Sequence, residues 1–308
     1  MHTEQGLLRL SIAVTVLVAA FGIVFGLLSG SFSIVFDGVY SLADASMSVL
    51  ALIVATLIRR HTTEGEASRR LAERFNMGFW HLEPMVLAIN GTLLCGVSLY
   101  ALINAIGSLL NGGRHLEFGF AIVYAGLTTL VCFSLAALAF RANKRIRSDF
   151  VALDAKAWVM SGSISLALLI AFIVGALVEG TAYAWLAPYI DPAVLAIICL
   201  IIIPIPLLTI RQAFSDVLMV TPPALKQAVD EVAAQVVARY GFIDWQAYVA
   251  KVGRARQIEL YFIVPQDWPA WTLAEWDAVR DVVGEAIGAE GPNRWLTIAF
   301  TTDPQWAR

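Results

Sequence analysis

The sequence has few charged residues and very few histidines. Asp, Glu, Lys and Arg make up 15% of its 308 residues, whereas a typical soluble domain is about 25% charged. The four histidines are His2, His61, His81 and His115, and none lies deep in an apolar segment. The three cysteines lie far apart and form no CxxC pair, so no disulfide framework is indicated.

The usual signs of an enzyme or a nucleic-acid-binding protein are also missing. The C-terminal part has no glycine-rich phosphate loop, no Cys–His cluster and no Ser–His–Asp set. No nucleophile–base pair is visible elsewhere in the chain. The net charge is −3, whereas nucleic-acid-binding domains carry basic surfaces. We therefore expect neither of these classes, and no cofactor is indicated.

Apolar residues are abundant instead, and they are concentrated in the first 210 positions. Hydrophobic residues make up 59% of the chain, and a bilayer-spanning helix needs about 20 consecutive apolar residues. The sequence predicts an α-helical membrane domain over 1–211 with six transmembrane helices. These spans lie at about 7–29, 32–58, 79–111, 116–140, 150–178 and 186–210.

The basic residues between the spans predict the orientation of the chain. Arginine and lysine cluster after spans two and four, whereas Arg114 alone follows span three. Because basic loops stay in the cytoplasm, we expect a multi-pass protein of the inner or plasma membrane with both termini cytoplasmic. The clustered residues are Arg59, Arg60, Arg69, Arg70, Arg74, Arg141, Lys144, Arg145 and Arg147.

Residues 212–308 predict a cytosolic α+β domain with the order αββαβ, a ferredoxin-like arrangement. Apolar residues at three- and four-residue steps indicate helices, and alternating residues indicate strands. We expect this domain to serve dimerisation or regulation. The predicted helices are 224–240 and 272–288, and the predicted strands are 246–252, 257–264 and 295–300.

Polar residues form a stripe inside span two. Asp37, Tyr40, Ser41 and Asp44 fall on one face of a helix with 3.6 residues per turn. A charged side chain near the bilayer centre costs at least about 2.5–3.5 kcal/mol. A cation, a proton or a basic partner must offset this cost, so the stripe predicts a functional site.

Span five can complete that site. At 1.5 Å of rise per residue, Asp154 reaches a depth close to that of Asp44, and Ser161 reaches a depth near Tyr40. We predict an all-oxygen cation site, because hard divalent ions bind oxygen ligands and need no histidine. Its predicted residues are Asp44, Tyr40, Asp37, Asp154 and Ser161. Binding of the ion displaces protons from carboxylates, which is the physical basis of cation–proton exchange.

Several of these polar residues have a second interpretation. The alternatives are that Asp154 pairs with Lys156, Arg145 or Arg147 near the cytoplasmic surface, and that Asp37 caps or hydrogen-bonds at the outer end of span two. Asn90 and Asn104 are interpreted as interhelical hydrogen-bonding residues. Asp191 is expected near the outer end of span six, close to water.

The order and spacing of several stretches resemble the cation diffusion facilitator family. The resemblance implies a homodimeric exporter that exchanges a divalent metal for protons, with both termini inside. The matching stretches are Gly30-Ser31, Asp37-Gly38 with Tyr40-Ser41 and Asp44, Gly78 with Glu83-Pro84 and Asn90-Gly91, Leu153-Asp154-Ala155, and Asp191-Pro192.

The chain departs from the usual metal motif of that family. The resemblance places two ligands on each of spans two and five, at Tyr40 and Asp44 and at Ala157 and Ser161. The usual pattern is His or Asp followed by Asp on span two, and His followed by Asp on span five, so only Asp44 matches outright. The metal is left open among manganese, iron, cobalt, zinc and magnesium, with harder ions favoured. The alternative is a transport-inactive or regulatory membrane scaffold of the same family.

Overall fold

The computed structural model describes residues 4–62, 79–146, 149–253, 255–291 and 293–307. The chain divides into two compact units. One contains Met1–Leu50 and Ile89–Thr209, and the other contains Ala51–Ala88 and Ile210–Arg308. The predicted domain boundary between residues 211 and 212 stays a prediction.

Long helices form most of the first 217 residues. Each predicted span corresponds to a helix, and the sixth is broken between Ile202 and Pro204, because proline cannot donate the backbone hydrogen bond that would continue the helix. A 3₁₀ helix over Ala184–Leu186 precedes it. The helices are α1 (Glu4–Ser29), α2 (Phe32–Thr62), α3 (Leu82–Leu110), α4 (Phe118–Ile146), α5 (Asp149–Glu179), α6 (Ala187–Ile202) and α7 (Pro204–Val217).

Five helical segments among the described residues are long and apolar enough to cross a membrane. The helix α2 is not one of the five, so the sixth span stays a prediction. The basic loops around residues 63–78 and 147–148 lie outside the described residues, and the orientation of the termini also stays a prediction. The five segments are Arg9–Ser29, Leu82–Leu110, Phe118–Lys144, Asp154–Glu179 and Ala184–Val217.

Glycines bring α1 and α2 into close contact. A Cβ atom at Gly38 would lie 2.7 Å from the carbonyl oxygen of Ala19, and one at Gly22 would lie 2.6 Å from the hydroxyl of Tyr124. The absence of a side chain at these positions allows the helix backbones to approach, as is common between transmembrane helices. This packing holds the polar stripe of α2 against α1.

We expect Gly38→Ala to reduce the free energy of unfolding by about 1–3 kcal/mol, because the added methyl group overpacks a backbone contact. Unfolding in mixed detergent–SDS micelles measures this loss. Gly96→Ala in α3 is the matched control, since a Cβ atom there meets nothing within 4 Å. An equal loss in the two variants would contradict the proposed close contact.

The first turn of α2 is capped by a buried aspartate on α6. Asp191 is 2% exposed, so the expectation that it lies close to water is wrong. Its carboxylate accepts hydrogen bonds from the Ser31 hydroxyl at 2.6 Å and from the backbone N–H groups of Phe32 and Ser33 at 3.0 and 3.4 Å. Negative charge is favoured at a helix N-terminus, where N–H groups have no intrahelical acceptor. Asp191 therefore fixes the end of the helix that carries the polar stripe.

The C-terminal part has the predicted order αββαβ. Its strands form one sheet in the order β1-β2-β3, with β1 antiparallel to β2 and β2 parallel to β3. Residues of both helices and of all three strands contribute to a single apolar core. The ferredoxin-like assignment stays a prediction. The elements are α8 (Pro223–Tyr240), β1 (Asp244–Val252), β2 (Ala255–Ile263), α9 (Leu273–Ile287) and β3 (Arg294–Thr301).

Helix α9 begins with a capping box. The hydroxyl of Thr272 accepts a hydrogen bond from the backbone N–H of Glu275, and the Glu275 carboxylate accepts from the backbone N–H of Thr272 at 2.6 Å. The hydrogen bonds from the Thr272 backbone and hydroxyl hold the pKa of Glu275 below its usual value. The backbone N–H groups of Thr272 and Glu275 at the start of α9 thus already have acceptors within the capping box.

Candidate cation site

All five residues of the predicted cation site line one cavity in the membrane domain. The cavity has a volume of about 260 Å³ and is bordered by α1, α2, α4, α5 and α6. This volume holds roughly eight water molecules, so a hydrated divalent cation fits inside it. The five residues are Asp37, Tyr40, Asp44, Asp154 and Ser161.

Asp37 is held by a tyrosine from α4. The fully buried Tyr124 donates a hydrogen bond from its hydroxyl to Oδ2 of Asp37 at 3.1 Å. The half-buried Asp37 side chain lines the cavity. Asp191, and not Asp37, caps α2. Asp37 instead hydrogen-bonds across to another helix, which agrees with the other half of its second interpretation.

Asp154 is held by a serine from α1. The Ser11 hydroxyl donates to Oδ1 of Asp154 at 2.7 Å and accepts from the indole Nε1 of Trp158 at 2.8 Å. Among the described residues Asp154 forms no ion pair, and the Lys156 side chain is exposed. The contacts of Asp154 in the described part of the chain are therefore neutral hydrogen bonds, and no cation there neutralises it. The side chains of Arg145 and Arg147 lie outside the described residues.

Asp44 contacts α3 through an amide. The side chain of Asn90 hydrogen-bonds to the Asp44 carboxylate. The Oδ1 atom of Asn90 is buried and finds no donor among the described residues. Asn90 therefore links two helices, and its carbonyl oxygen is left without a partner beside a carboxylate.

The other predicted ligands lie on the same cavity but contribute less. Tyr40 packs its ring against Phe36 with 5.5 Å between centroids, and its hydroxyl is the polar end of the side chain. Ser161 is exposed and offers only a neutral oxygen, whereas Ala157 offers no ligand. Within the described part of the chain, no three His, Cys, Asp or Glu side chains come close enough to hold a metal ion together. The cavity therefore has polar side chains on walls that are otherwise mostly apolar, and it is not a closed metal cage.

The three carboxylates are spaced along the cavity. Asp44 lies seven residues beyond Asp37 on α2, which is about 10 Å of helical rise. Helix α1 gives the spacing between Asp154 and Asp37. Ser11, which bonds Asp154, lies eleven residues before Gly22, which is next to Tyr124, the partner of Asp37. Eleven residues of helical rise are about 16 Å. Asp37 and Asp154 therefore sit toward opposite ends, with Asp44 between them.

We expect Tyr124→Phe to lower the free energy of unfolding by about 1–3 kcal/mol, because the buried Asp37 carboxylate loses its donor. Unfolding in detergent–SDS micelles again provides the measurement. The same substitution at the exposed Tyr183 (63% exposed) is the control and should leave stability unchanged. A neutral effect at Tyr124 would show that the hydrogen bond to Asp37 adds no net stability.

We compared the sequence with known protein families. The result agrees with the arrangement of apolar helices around a cavity that three carboxylates line. The cation efflux transmembrane domain matches residues 8–218 of the chain. The chain belongs to the cation efflux family. Members of this family are transporters rather than enzymes, and the protein is a multi-pass membrane protein of that family. No curated protein matches the chain.

The sequence did not indicate the partners that hold the carboxylates of this cation efflux protein. Tyr124 lies in an apolar run, Ser11 begins one just after Arg9, and Trp158 is one tryptophan among nine. The spacing of Trp158, four residues after Asp154, is a signal that it lies on the same helix face. Asn90 and Asn104 were both assigned to interhelical hydrogen bonds. Asn90 bonds to Asp44 on α2 in this way. The interpretation of Asn104 is wrong, because its amide donates within its own helix to the carbonyl oxygen of Tyr100 at 2.8 Å.

Proposed function

We propose that this protein is a secondary active transporter that exports a divalent cation in exchange for protons. The observation that carries the proposal is the single cavity shared by Asp37, Asp44 and Asp154. Each carboxylate is hydrogen-bonded to a side chain of a different helix, namely Tyr124, Asn90 and Ser11. Three carboxylates on one membrane cavity are costly unless a cation or protons neutralise them.

The available ligands favour a hard cation. The cavity offers carboxylate, phenol and hydroxyl oxygens. Ala157 stands where the family places histidine, so a tetrahedral zinc site would lack a nitrogen ligand. Manganese, magnesium and iron(II) accept oxygen ligands and retain bound water. A partly hydrated ion is consistent with the spread of the three carboxylates.

Exchange with protons follows from the same carboxylates. An empty carboxylate in an apolar membrane domain binds a proton, because the charged form is poorly solvated. A bound divalent cation replaces those protons, and its release allows them to return. We propose Asp44 as the central ligand, with Asp37, Tyr40, Asp154 and Ser161 along the path.

The remaining features of the proposal concern the whole molecule. We propose six transmembrane helices, with α2 as a true span, and both termini in the cytoplasm of an inner or plasma membrane. We also propose a homodimer whose residues 212–308 form a cytosolic dimerisation or regulatory domain. Crosslinking in native membranes and cysteine accessibility at the two termini test these assignments.

Flux through proteoliposomes tests the proposed function. The protein is reconstituted with a pH-sensitive dye inside, and manganese, iron(II), cobalt, zinc or magnesium is added outside. We expect cation-dependent proton movement, with manganese, iron(II) or magnesium more effective than zinc. Protein-free liposomes are the control. Proton movement that no metal changes would contradict the proposal.

A transport-inactive scaffold is the second candidate. It is favoured by the lack of any group of three metal-ligating side chains among the described residues and by Ala157 and Ser161 at the family ligand positions. Such a scaffold would form dimers without metal and give no flux with any of the five metals. The flux experiment therefore separates the two candidates.

A further inference from the structure

The C-terminal domain has a pocket at the carboxyl ends of its two parallel strands. β2 ends at Ile263 and β3 at Thr301, and these two residues are paired in register. The connection from β2 to α9 begins at Val264, whose backbone N–H donates to the carbonyl oxygen of Thr301 at 2.8 Å. In α/β units, ligands bind in the crevice outside the carboxyl ends of parallel strands. The residues of this pocket lie between positions 264 and 302, so an inference drawn from it does not depend on the membrane cavity or on the proposed transport function.

The pocket has the volume of a small-molecule site and one aromatic wall. Its volume is about 540 Å³, and ligand pockets usually measure about 300–1,000 Å³. It is open to solvent, and the rest of its accessible lining is mainly polar. The aromatic wall is a contiguous cluster of edge-to-face and tilted rings, with centroids 5.2 Å apart for Trp268 and Trp271, 4.9 Å for Trp271 and Trp276, and 4.4 Å for Trp276 and Phe300. All four side chains also line the pocket. The faces of such rings bind planar apolar groups.

One cation completes the pocket. Arg280 lines it, with its guanidinium 5.2 Å from the centre of the Phe300 ring. Its Nε donates to the carbonyl oxygen of Ile298 and its Nη1 to the exposed Asp277. Its Nη2 finds no acceptor in the described part of the chain. These contacts hold the guanidinium in place and leave a donor group for an anionic ligand.

The aromatic wall also contains a second hydrogen-bond donor, which has no acceptor in the described part of the chain. The indole Nε1 of Trp268 is buried and has no acceptor among the described residues. A buried N–H without an acceptor costs free energy, and a ligand oxygen would remove that cost. Because the surrounding protein covers this nitrogen, we expect the Trp268 ring to turn toward the pocket when the ligand binds. The N-terminus of α9 is closed by its capping box, so an anion in this pocket is directed to Arg280.

We propose that this pocket binds a small organic anion with a planar aromatic body. The rings of Trp271, Trp276 and Phe300 contact the planar body, and Arg280 binds the anionic group. Trp268 donates its indole N–H to an oxygen of the ligand. Both nucleotides and aromatic carboxylates have this chemistry.

Isothermal titration calorimetry on the full-length protein in detergent micelles tests the proposal. The probes are adenosine 5′-monophosphate and indole-3-carboxylate, each compared with its uncharged partner, adenosine and indole-3-carboxamide. We expect saturable binding of at least one anion, with its neutral partner weaker by about tenfold or more because the charged contact is lost. Comparison of adenosine 5′-monophosphate with indole-3-carboxylate shows whether the pocket prefers a nucleotide or an aromatic carboxylate. The absence of saturable binding of both anions at millimolar concentration would overturn the proposal.

Two variants locate the binding within the protein. Arg280→Gln should weaken binding of the anion by about tenfold or more, and Trp268→Phe should weaken it while keeping an aromatic ring. Trp306→Phe is the control, since Trp306 is 76% exposed and lies outside the pocket. Thermal unfolding of each variant identifies any loss of fold. Binding that is equal in the wild type, Arg280→Gln and Trp268→Phe would assign the signal to another site.

Discussion

Asp44→Asn is expected to abolish cation-driven proton flux in proteoliposomes, and Asp44→Ala should do the same. The asparagine side chain has nearly the same shape but carries no charge, so it cannot neutralise a divalent cation or exchange a proton. Two opposite unit charges about 4 Å apart attract each other by about 4 kcal/mol at an effective dielectric constant of about 20. We therefore expect loss of this carboxylate to lower the flux at least about 30-fold. The measurement is the initial rate of the internal pH change after metal addition.

Ser46→Ala is the matched control for this experiment. Ser46 lies on the same helix, its hydroxyl donates only to the carbonyl oxygen of Leu42, and it does not line the cavity. We expect its flux to equal that of the unmodified protein. Unchanged flux in Asp44→Asn, with equal protein in the vesicles, would remove Asp44 from the proposed transport site.

Asp191→Ala is expected to produce the largest loss of stability in the membrane domain. The substitution leaves the Ser31 hydroxyl and the backbone N–H groups of Phe32 and Ser33 without their acceptor in a buried position. Each buried unsatisfied group costs about 1–3 kcal/mol, and loss of a helix cap alone costs about 0.5–2 kcal/mol. We expect the free energy of unfolding to fall by about 3 kcal/mol, measured in detergent–SDS micelles.

Two further variants distinguish the capping role from a general effect of charge. Asp191→Asn keeps one oxygen acceptor at the N-terminus of α2 and should lose about half as much stability. Glu179→Ala removes an exposed acid at the end of α5 and should have little effect. If Asp191→Ala were as stable as Glu179→Ala, the capping contacts would add nothing to the fold.

Local patterns in the sequence were sufficient to predict most of the elements. The apolar runs correspond to long helices, and the predicted strand 257–264 corresponds to Ala255–Ile263. These predictions succeed because helix and strand periodicity is encoded by neighbouring residues. The acidic stripe on span two was also identified locally, because a carboxylate in an apolar run has a high energetic cost wherever the helix packs.

Contacts between distant residues could not be predicted in the same way. Ser11 and Asp154 are 143 positions apart, and Ser31 and Asp191 are 160 apart. No local pattern states which helix faces will meet, so a serine in an apolar run gives no sign that it bonds a carboxylate. The interpretation of Asp154 as a partner of Lys156 relied on sequence proximity, whereas tertiary packing places Ser11 beside it.

The sequence by itself determined that this is a helical membrane protein with an αββαβ tail and an acidic stripe near Asp44. Hydrophobicity and periodicity are properties of short segments, so no tertiary information was needed. Only the tertiary structure decided that Asp37, Asp44 and Asp154 share one cavity and that Asp191 caps α2. The physical reason is that a buried carboxylate is stabilised by whichever donors the packed helices bring within hydrogen-bonding distance.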